Sequence, residues 1–351
     1  MKIHEIKGIC PIIAAPFTPS GVLDEDSLRR LLYILASERK ENAGCMAAGE
    51  VCAASKTAGA AGGSLSDCTA AEPDRTAADS DGVYGEKLCG ALTLFGIAGE
   101  YYKLSDAEQT RFARIAAEEA PRLNVPLIMS VTKHSTYTAV EEAKKLEALG
   151  ADCLMLLPPF FLKPSGEQIY RHMLAVCRAV KLPVMIQYAP EQTGVTIPPE
   201  ILCRLSEESE NARYYKIECK PSGGYISSLL GRQPSARVFA GNAGYQMIEA
   251  FDRGAVGVMP GCSMFDVYRR LYDALTNGER GEAMRIHARL LEILNHIRQN
   301  VEMIIYFEKR ILKRRGFIDS GFCREPSFVS DRYFDRLFDE YYERVSELFI
   351  L

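Results

Sequence analysis

The chain of 351 residues has no tryptophan, no Cys-x-x-Cys pair and no apolar run approaching the roughly 18 residues a membrane-spanning helix needs. The last absence argues against a membrane protein. Residues 1–13 lack the apolar core of a secretion signal and read as a strand entering a fold, so a cytoplasmic location is expected. Strong positive charge is also missing. The net charge is −4, and the only dense basic run lies at residues 309–315, which makes nucleic acid a poor partner. The 11 cysteines are odd in number and scattered, and none combines with histidine at zinc spacing. They read as free thiols, with no metal centre expected.

What is present is ordinary globular composition, 47% hydrophobic and 25% charged, arranged in a strict rhythm. Apolar runs at residues 9–15, 91–95, 126–131, 153–157, 183–188, 213–217, 238–240 and 256–259 read as strands. Helical patterns at 27–39, 106–120, 138–149, 166–180, 199–208, 224–230 and 245–253 fall between them. Ser105 with Glu108 has capping-box spacing ahead of the second helix. Eight strands alternating with helices predict an α/β fold, a (β/α)₈ TIM barrel. An open doubly wound sheet is the alternative, weakened because no Gly-rich phosphate fingerprint follows the first strand. After residue 265 only helical patterns remain (267–275, 281–298, 303–313 and 333–349), so the barrel is assigned to residues 1–265 and a C-terminal helical extension to 266–351. Residues 42–87, rich in small and polar types, interrupt the rhythm as a flexible insertion, either a lid or a solvated excursion.

Four places carry candidate chemistry. Lys216 lies on a strand in Tyr214-Tyr215-Lys216-Ile217-Glu218. A lysine facing a barrel interior is costly when charged, and its neutral amine attacks carbonyls; on the outer face it would merely snorkel to solvent. Gly96-Ile97-Ala98-Gly99-Glu100 follows the second strand, where glycines permit a tight turn with amide hydrogens for an anion, or an ordinary loop. Gln187 and Tyr188 end the fifth strand, and alternation lets only one of them face inward. Gly241-Asn242 and residues 254–261 place glycines at the tops of the last two strands, where a ligand could approach the backbone.

Together these segments resemble the dihydrodipicolinate synthase/N-acetylneuraminate lyase family, from about Gly8 to Asp266. The resemblance is carried by residues 11–19, Gly96-Ile97-Ala98-Gly99-Glu100 with Leu104-Ser105, Gly150-Ala151-Asp152 leading to residues 158–164, Tyr188-Ala189-Pro190 with Thr193-Gly194, Lys216, and residues 254–261. It implies a barrel with a C-terminal helical domain, commonly assembled as a homo-oligomer (dimer or tetramer), that forms a Schiff base with pyruvate or a related 2-keto acid without a cofactor. It implies Lys216 as the imine-forming residue, the backbone around Gly96, Ile97 and Ala98 as the carboxylate site, and Gly241 and Met259 as pocket walls.

The chain departs from the family pattern where the family keeps hydroxyls. Gln187 stands at the usual relay tyrosine, with Tyr188 one residue off. Ile97 and Ala98 replace two threonines, Phe160-Phe161 replaces a pair that includes a tyrosine, and Gln192 replaces an arginine. General acid–base help is worth about a hundred- to ten-thousand-fold in rate, so the loss matters. Glu218, two residues past Lys216 and so on its face of the strand, is the candidate replacement proton carrier. The expectation is therefore a Schiff-base lyase using Lys216, Glu218, Gln187 and Tyr188. The alternative is a 2-keto-acid-binding pseudoenzyme that has lost its relay.

Overall fold

The computed structural model describes residues 5–38 and 87–351. The insertion expected at 42–87 lies outside the described residues except for its last one. Its flanks meet: the Leu88 N–H donates to the Ser37 carbonyl at 3.1 Å.

The elements run β1 (Gly8–Ile9), α1 (Glu25–Leu35), β2 (Leu92–Leu94), α2 (Asp106–Arg122), β3 (Leu127–Val131), α3 (Thr136–Leu149), β4 (Cys153–Leu156), α4 (Gly166–Ala179), β5 (Val184–Tyr188), the single turn α5 (Pro190–Thr193), α6 (Pro199–Glu208), β6 (Ala212–Ile217), α7 (Gly223–Arg232), β7 (Arg237–Ala240), α8 (Met247–Asp252), β8 (Gly257–Val258) and α9 (Phe265–Thr276). Three long helices follow: α10 (Arg280–Ile297), α11 (Val301–Arg314) and α12 (Arg332–Ser346). All strand pairs are parallel, in the order β1-β8-β7-β6-β5-β4-β3-β2. The sheet closes where Ile12 bridges both Thr93 and Gly261, with Thr93 N–H donating to Pro11 and Ile13 N–H to Thr93. The first strand was expected over 9–15 and is shorter because Pro11 has no N–H to give the ladder. The first helix was expected to reach 39 and stops at Leu35.

Both faces of the strands are buried, as a parallel sheet requires. Alternate residues fill two separate cores. Ile128, Cys153, Met155, Met185, Tyr214 and Phe239 pack inside the barrel. Leu127, Leu154, Ile186, Tyr188, Tyr215 and Val238 pack outward against the helices. The eight described cysteines form no disulfide. No described helix is long and apolar enough to cross a membrane.

The helical tail is joined to the barrel by buried charge. Glu100, fully buried just beyond β2, faces Lys309 of α11, also fully buried, and Lys103 at 3.3 Å. Lys309 also donates to the Phe322 carbonyl at 2.9 Å, and Arg324 N–H donates to Glu100 at 2.8 Å. Burial pushes the Lys309 pKa down, partly offset by Glu100. Arg315 clamps Asp266 through two bonds of 2.7 and 2.9 Å, while Arg310 pairs with Asp335 and Arg314 with Asp339. Most of the one basic run in the sequence is thus consumed by internal ion pairs.

Ser105 and Glu108 form the capping box read from the sequence. Glu108 is also gripped by both terminal nitrogens of Arg324.

Two stability effects are expected. Lys309→Met deprives the buried Glu100 of one of its two lysine partners and should lower unfolding free energy in denaturant by about 3 kcal/mol; adding Glu100→Gln should return part of the loss. The Arg324 hydrogen bond holds the Glu108 carboxyl at about 2 instead of 4.5. A depressed carboxyl stabilises above its unfolded pKa and loses that contribution as pH falls through the folded one. The melting-temperature gap between wild type and Glu108→Gln should therefore be full above pH 4.5 and shrink as pH falls toward 2.

Candidate active site

A cleft lies at the C-terminal ends of the strands, the end where barrels of this type carry function. Lys216 and Gln187 pair in register on β6 and β5 and both point inward, one layer above Tyr214 and Met185. Lys216 is 2% exposed, and its Nζ sits 3.3 Å from Glu218 Oε1.

Glu218, just past β6, is held from three sides. Gln187 Nε2 donates to its Oε2 at 2.5 Å. The backbone N–H of Asn242 donates to its Oε1 at 3.1 Å. The Asn242 side chain donates to its carbonyl at 2.7 Å. Burial pushes the Glu218 carboxyl up, but the Lys216 charge and these donors outweigh it, leaving the pKa below the usual value. The result is a carboxylate beside an amine in an otherwise uncharged part of the cavity.

The other expected site residues divide. Ile97, Ala98 and Met259 line the cleft. Residues Ile97–Gly99 form a 3-10 turn whose first internal bond is donated by Gly99, so the Ile97 and Ala98 amides lie ahead of it.

Gly96 and Gly241 do not line it, and their smallness has another cause. A Cβ on Gly96 would stand 2.7 Å from the Ile12 side chain, and one on Gly241 would stand 2.0 Å from Glu218 Cγ. The space above Gly241, expected to admit ligand, is taken by Glu218. The left-handed backbone around the β2 loop falls on Phe95 and Glu100, not on the glycines.

Tyr188 is a correction. It faces outward, stacked on Tyr225 with ring centroids 4.6 Å apart, because strand alternation gives the inward position to Gln187. It cannot carry a proton for Lys216.

Gln192, noted in the sequence as the replacement of an arginine, also lines the cleft. Several lining residues were not singled out from sequence. Ala243 and Ile12 come from the barrel, and Arg298, Val301 and Ile304 come from the junction of α10 and α11. Asn242 stood beside a noted glycine, but nothing in a linear pattern connects position 298 with 216. No hydroxyl side chain lines the cleft, and no cluster of three potential metal ligands occurs among the described residues.

Known proteins share the sequence pattern and the fold. The model of the Dihydrodipicolinate synthetase family matches residues 86–333. The 4-hydroxy-tetrahydrodipicolinate synthase of Bacillus velezensis is 30% identical over 210 residues, 59% of this chain and 71% of that one. The synthase of the same name from Archaeoglobus fulgidus is 28% identical over 214 residues, 60% and 72% of the two chains. In fold, the dihydrodipicolinate synthase of Thermotoga maritima superposes with a TM-score of 0.77 at 18% identity, covering 98% of this chain and 99% of that one.

Gly241→Ala should drive the Glu218 carboxylate away from Lys216. The rate at which the lysine reacts with a carbonyl compound, followed by intact mass after reduction, is expected to fall at least tenfold with the fold intact by circular dichroism. Tyr188→Phe, altering the outward face only, should change that rate less than twofold.

Proposed function

Because the chain belongs to the dihydrodipicolinate synthetase family, we propose that it is a class I lyase in which Lys216 forms an imine with pyruvate or another 2-keto acid, the substrate then undergoing aldol cleavage, condensation or dehydration. The observation that carries this reading is the inward Lys216 amine, 2% exposed, 3.3 Å from a fixed carboxylate. For the amine to attack, its ammonium must lose a proton, and Glu218 is the acceptor within reach. Nζ then bonds to the keto carbon as the C=O π pair moves to oxygen, and a proton passes from the nitrogen to that oxygen to give the carbinolamine. The protonated Glu218 returns the proton to the carbinolamine hydroxyl, which leaves as water as the C=N bond forms. Gln187 and Asn242 position Glu218. The amides of Ile97 and Ala98 receive the keto-acid carboxylate, and Met259 lines the same cleft.

One observation favours a second reading. Glu218 is held below the usual carboxylate range, and a firmly ionised carboxylate is a weak proton donor at neutral pH. With no phenol in the cleft, the chain would then bind 2-keto acids as imines without turning them over. Assembly into a homo-oligomer is part of the proposal. It is supported by the exposed Phe161 and Leu162 on the loop after β4, 75% and 84% accessible.

The test is reduction with borohydride in the presence of pyruvate, followed by peptide mapping. An adduct is expected on Lys216 and none on Lys216→Ala; absence of any adduct with pyruvate and larger 2-keto acids would end the imine reading. Glu218→Gln should slow adduct formation about a hundredfold, within the range of general acid–base help. Since Glu218 is the acceptor and its pKa lies below 4.5, protonation of this group should limit the wild-type rate only below that pH. Turnover on a panel of 2-keto sugar acids separates lyase from binder.

A further inference from the structure

The cleft holds three ionisable side chains, Lys216, Glu218 and Arg298. The first two neutralise each other at 3.3 Å. Arg298 remains. It follows the last residue of α10, its Nε is buried without a hydrogen-bond partner, and no ion pair or hydrogen bond joins it to another described residue. Buried polar groups are normally satisfied, and an arginine is built to fork onto a carboxylate.

Its place in the barrel is defined by its neighbours. Its charge acts on the hydroxyls of Tyr245 and Tyr268 and on the Glu308 carboxyl. Tyr268 donates to the Ala243 carbonyl just past β7, and Glu308 accepts from Ser263 N–H just past β8. Burial pushes the Glu308 carboxyl up, and no ion pair joins it to Arg298 among the described residues. Arg298 thus stands at the β7/β8 side. The Ile97 and Ala98 amides follow β2, three strand positions from β7 through β8 and β1, or roughly 14 Å along the sheet at about 4.8 Å per strand.

We propose that Arg298 is the specificity residue of this cleft and receives a second carboxylate at the far end of the substrate, so that the substrate class is a dicarboxylic 2-keto acid. This rests on the imine reading given above. The first carboxylate lies next to the keto carbon and sits on the β2 turn; the second, farther along the chain, reaches Arg298. A carboxylate fits better than a phosphate because the cleft carries one unbalanced positive charge and no second cation. Val301 and Ile304, beside Arg298 in the lining, offer apolar surface to the carbon chain between the two acids.

The experiment compares 2-ketoglutarate with 2-ketovalerate, which has the same five carbons without the second acid, in borohydride trapping on the full chain. The readout is the ratio of the concentrations giving half-maximal adduct. For wild type, 2-ketoglutarate should be favoured about ten- to a hundredfold, the range for a charge-assisted hydrogen bond, and less so as salt rises. Arg298→Met should bring the ratio near one, and Arg298→Lys should keep part of the preference. Because no ion pair or hydrogen bond ties the Arg298 side chain to another described residue, both variants should fold. A wild-type ratio near one, or a ratio that Arg298→Met leaves unaltered because both ligands weaken alike, overturns the proposal. If no keto acid gives an adduct, the imine reading fails by itself. Arg298 is then judged by calorimetric affinities of glutarate against valerate, where loss of a glutarate preference in Arg298→Met supports it and no preference in wild type refutes it.

Discussion

A lysine amine inside a barrel of methionine, phenylalanine and isoleucine sets the terms for everything around it. An unpaired ammonium there is costly, so β6 brings its own counter-charge two residues on, at Glu218. That carboxylate must be satisfied in turn, and it draws on β5 through Gln187 and on β7 through Asn242. To fit, it requires glycine at position 241, just past β7, since a methyl group would overlap its Cγ. One buried amine thereby dictates residue types on three neighbouring strands. On the proposed reading, a site lined by no phenol among the described residues has its proton acceptor in the acid that compensates the lysine.

The same logic operates one layer outward. Glu100 caps the turn that presents Ile97 and Ala98, and its partners Lys309 and Arg324 come from the C-terminal helices and the segment after them. A buried pair of this kind adds little net stability compared with a hydrophobic substitute, yet breaking it is expensive. Its consequence is registration, because the tail can dock in one position only if Glu100 is to be satisfied. Asp266 and Arg315 repeat the device at the last barrel helix, where Asp266 also accepts the N–H groups of Ile350 and Leu351. The tail is therefore positioned by charge and packed by aromatics such as Phe307 and Phe338, whose rings lie 4.7 Å apart.

The barrel was legible because strand and helix periodicities alternate without ambiguity, and because a strand buried on both faces reads as a continuous apolar run. Lys216 was legible for a related reason: a charge in such a run has few places to go. The choice between Gln187 and Tyr188 was not, since period two says that one faces in without saying which. The phase is set by Met185, which fills the barrel two residues earlier. The glycines misled in an instructive way. A glycine at a strand top signals close approach, but sequence does not say of what, and at Gly241 and Gly261 the approaching groups are the side chains of Glu218 and Glu308. Arg298 carried no signal, because it reaches the cleft only through the docking of a helix whose register is set by ion pairs distant in sequence.

That last dependence bears on how the chemistry is divided. Lys216 sits on a strand of the barrel with Glu218 just past it, within a core whose geometry is fixed by hydrogen-bonded ladders on both sides. Arg298 sits at a helix junction of the tail, held by contacts such as Tyr245 Oη to the Leu294 carbonyl and His287 to the Gly244 carbonyl. A change in the tail that shifts α10 and α11 alters what stands opposite Lys216 without touching the ladder that orients it. On the proposed reading, reactivity and selectivity are thus carried by elements that answer to different interactions. A change of selectivity could then come from the tail while Lys216, Gln187 and Glu218 stay in place.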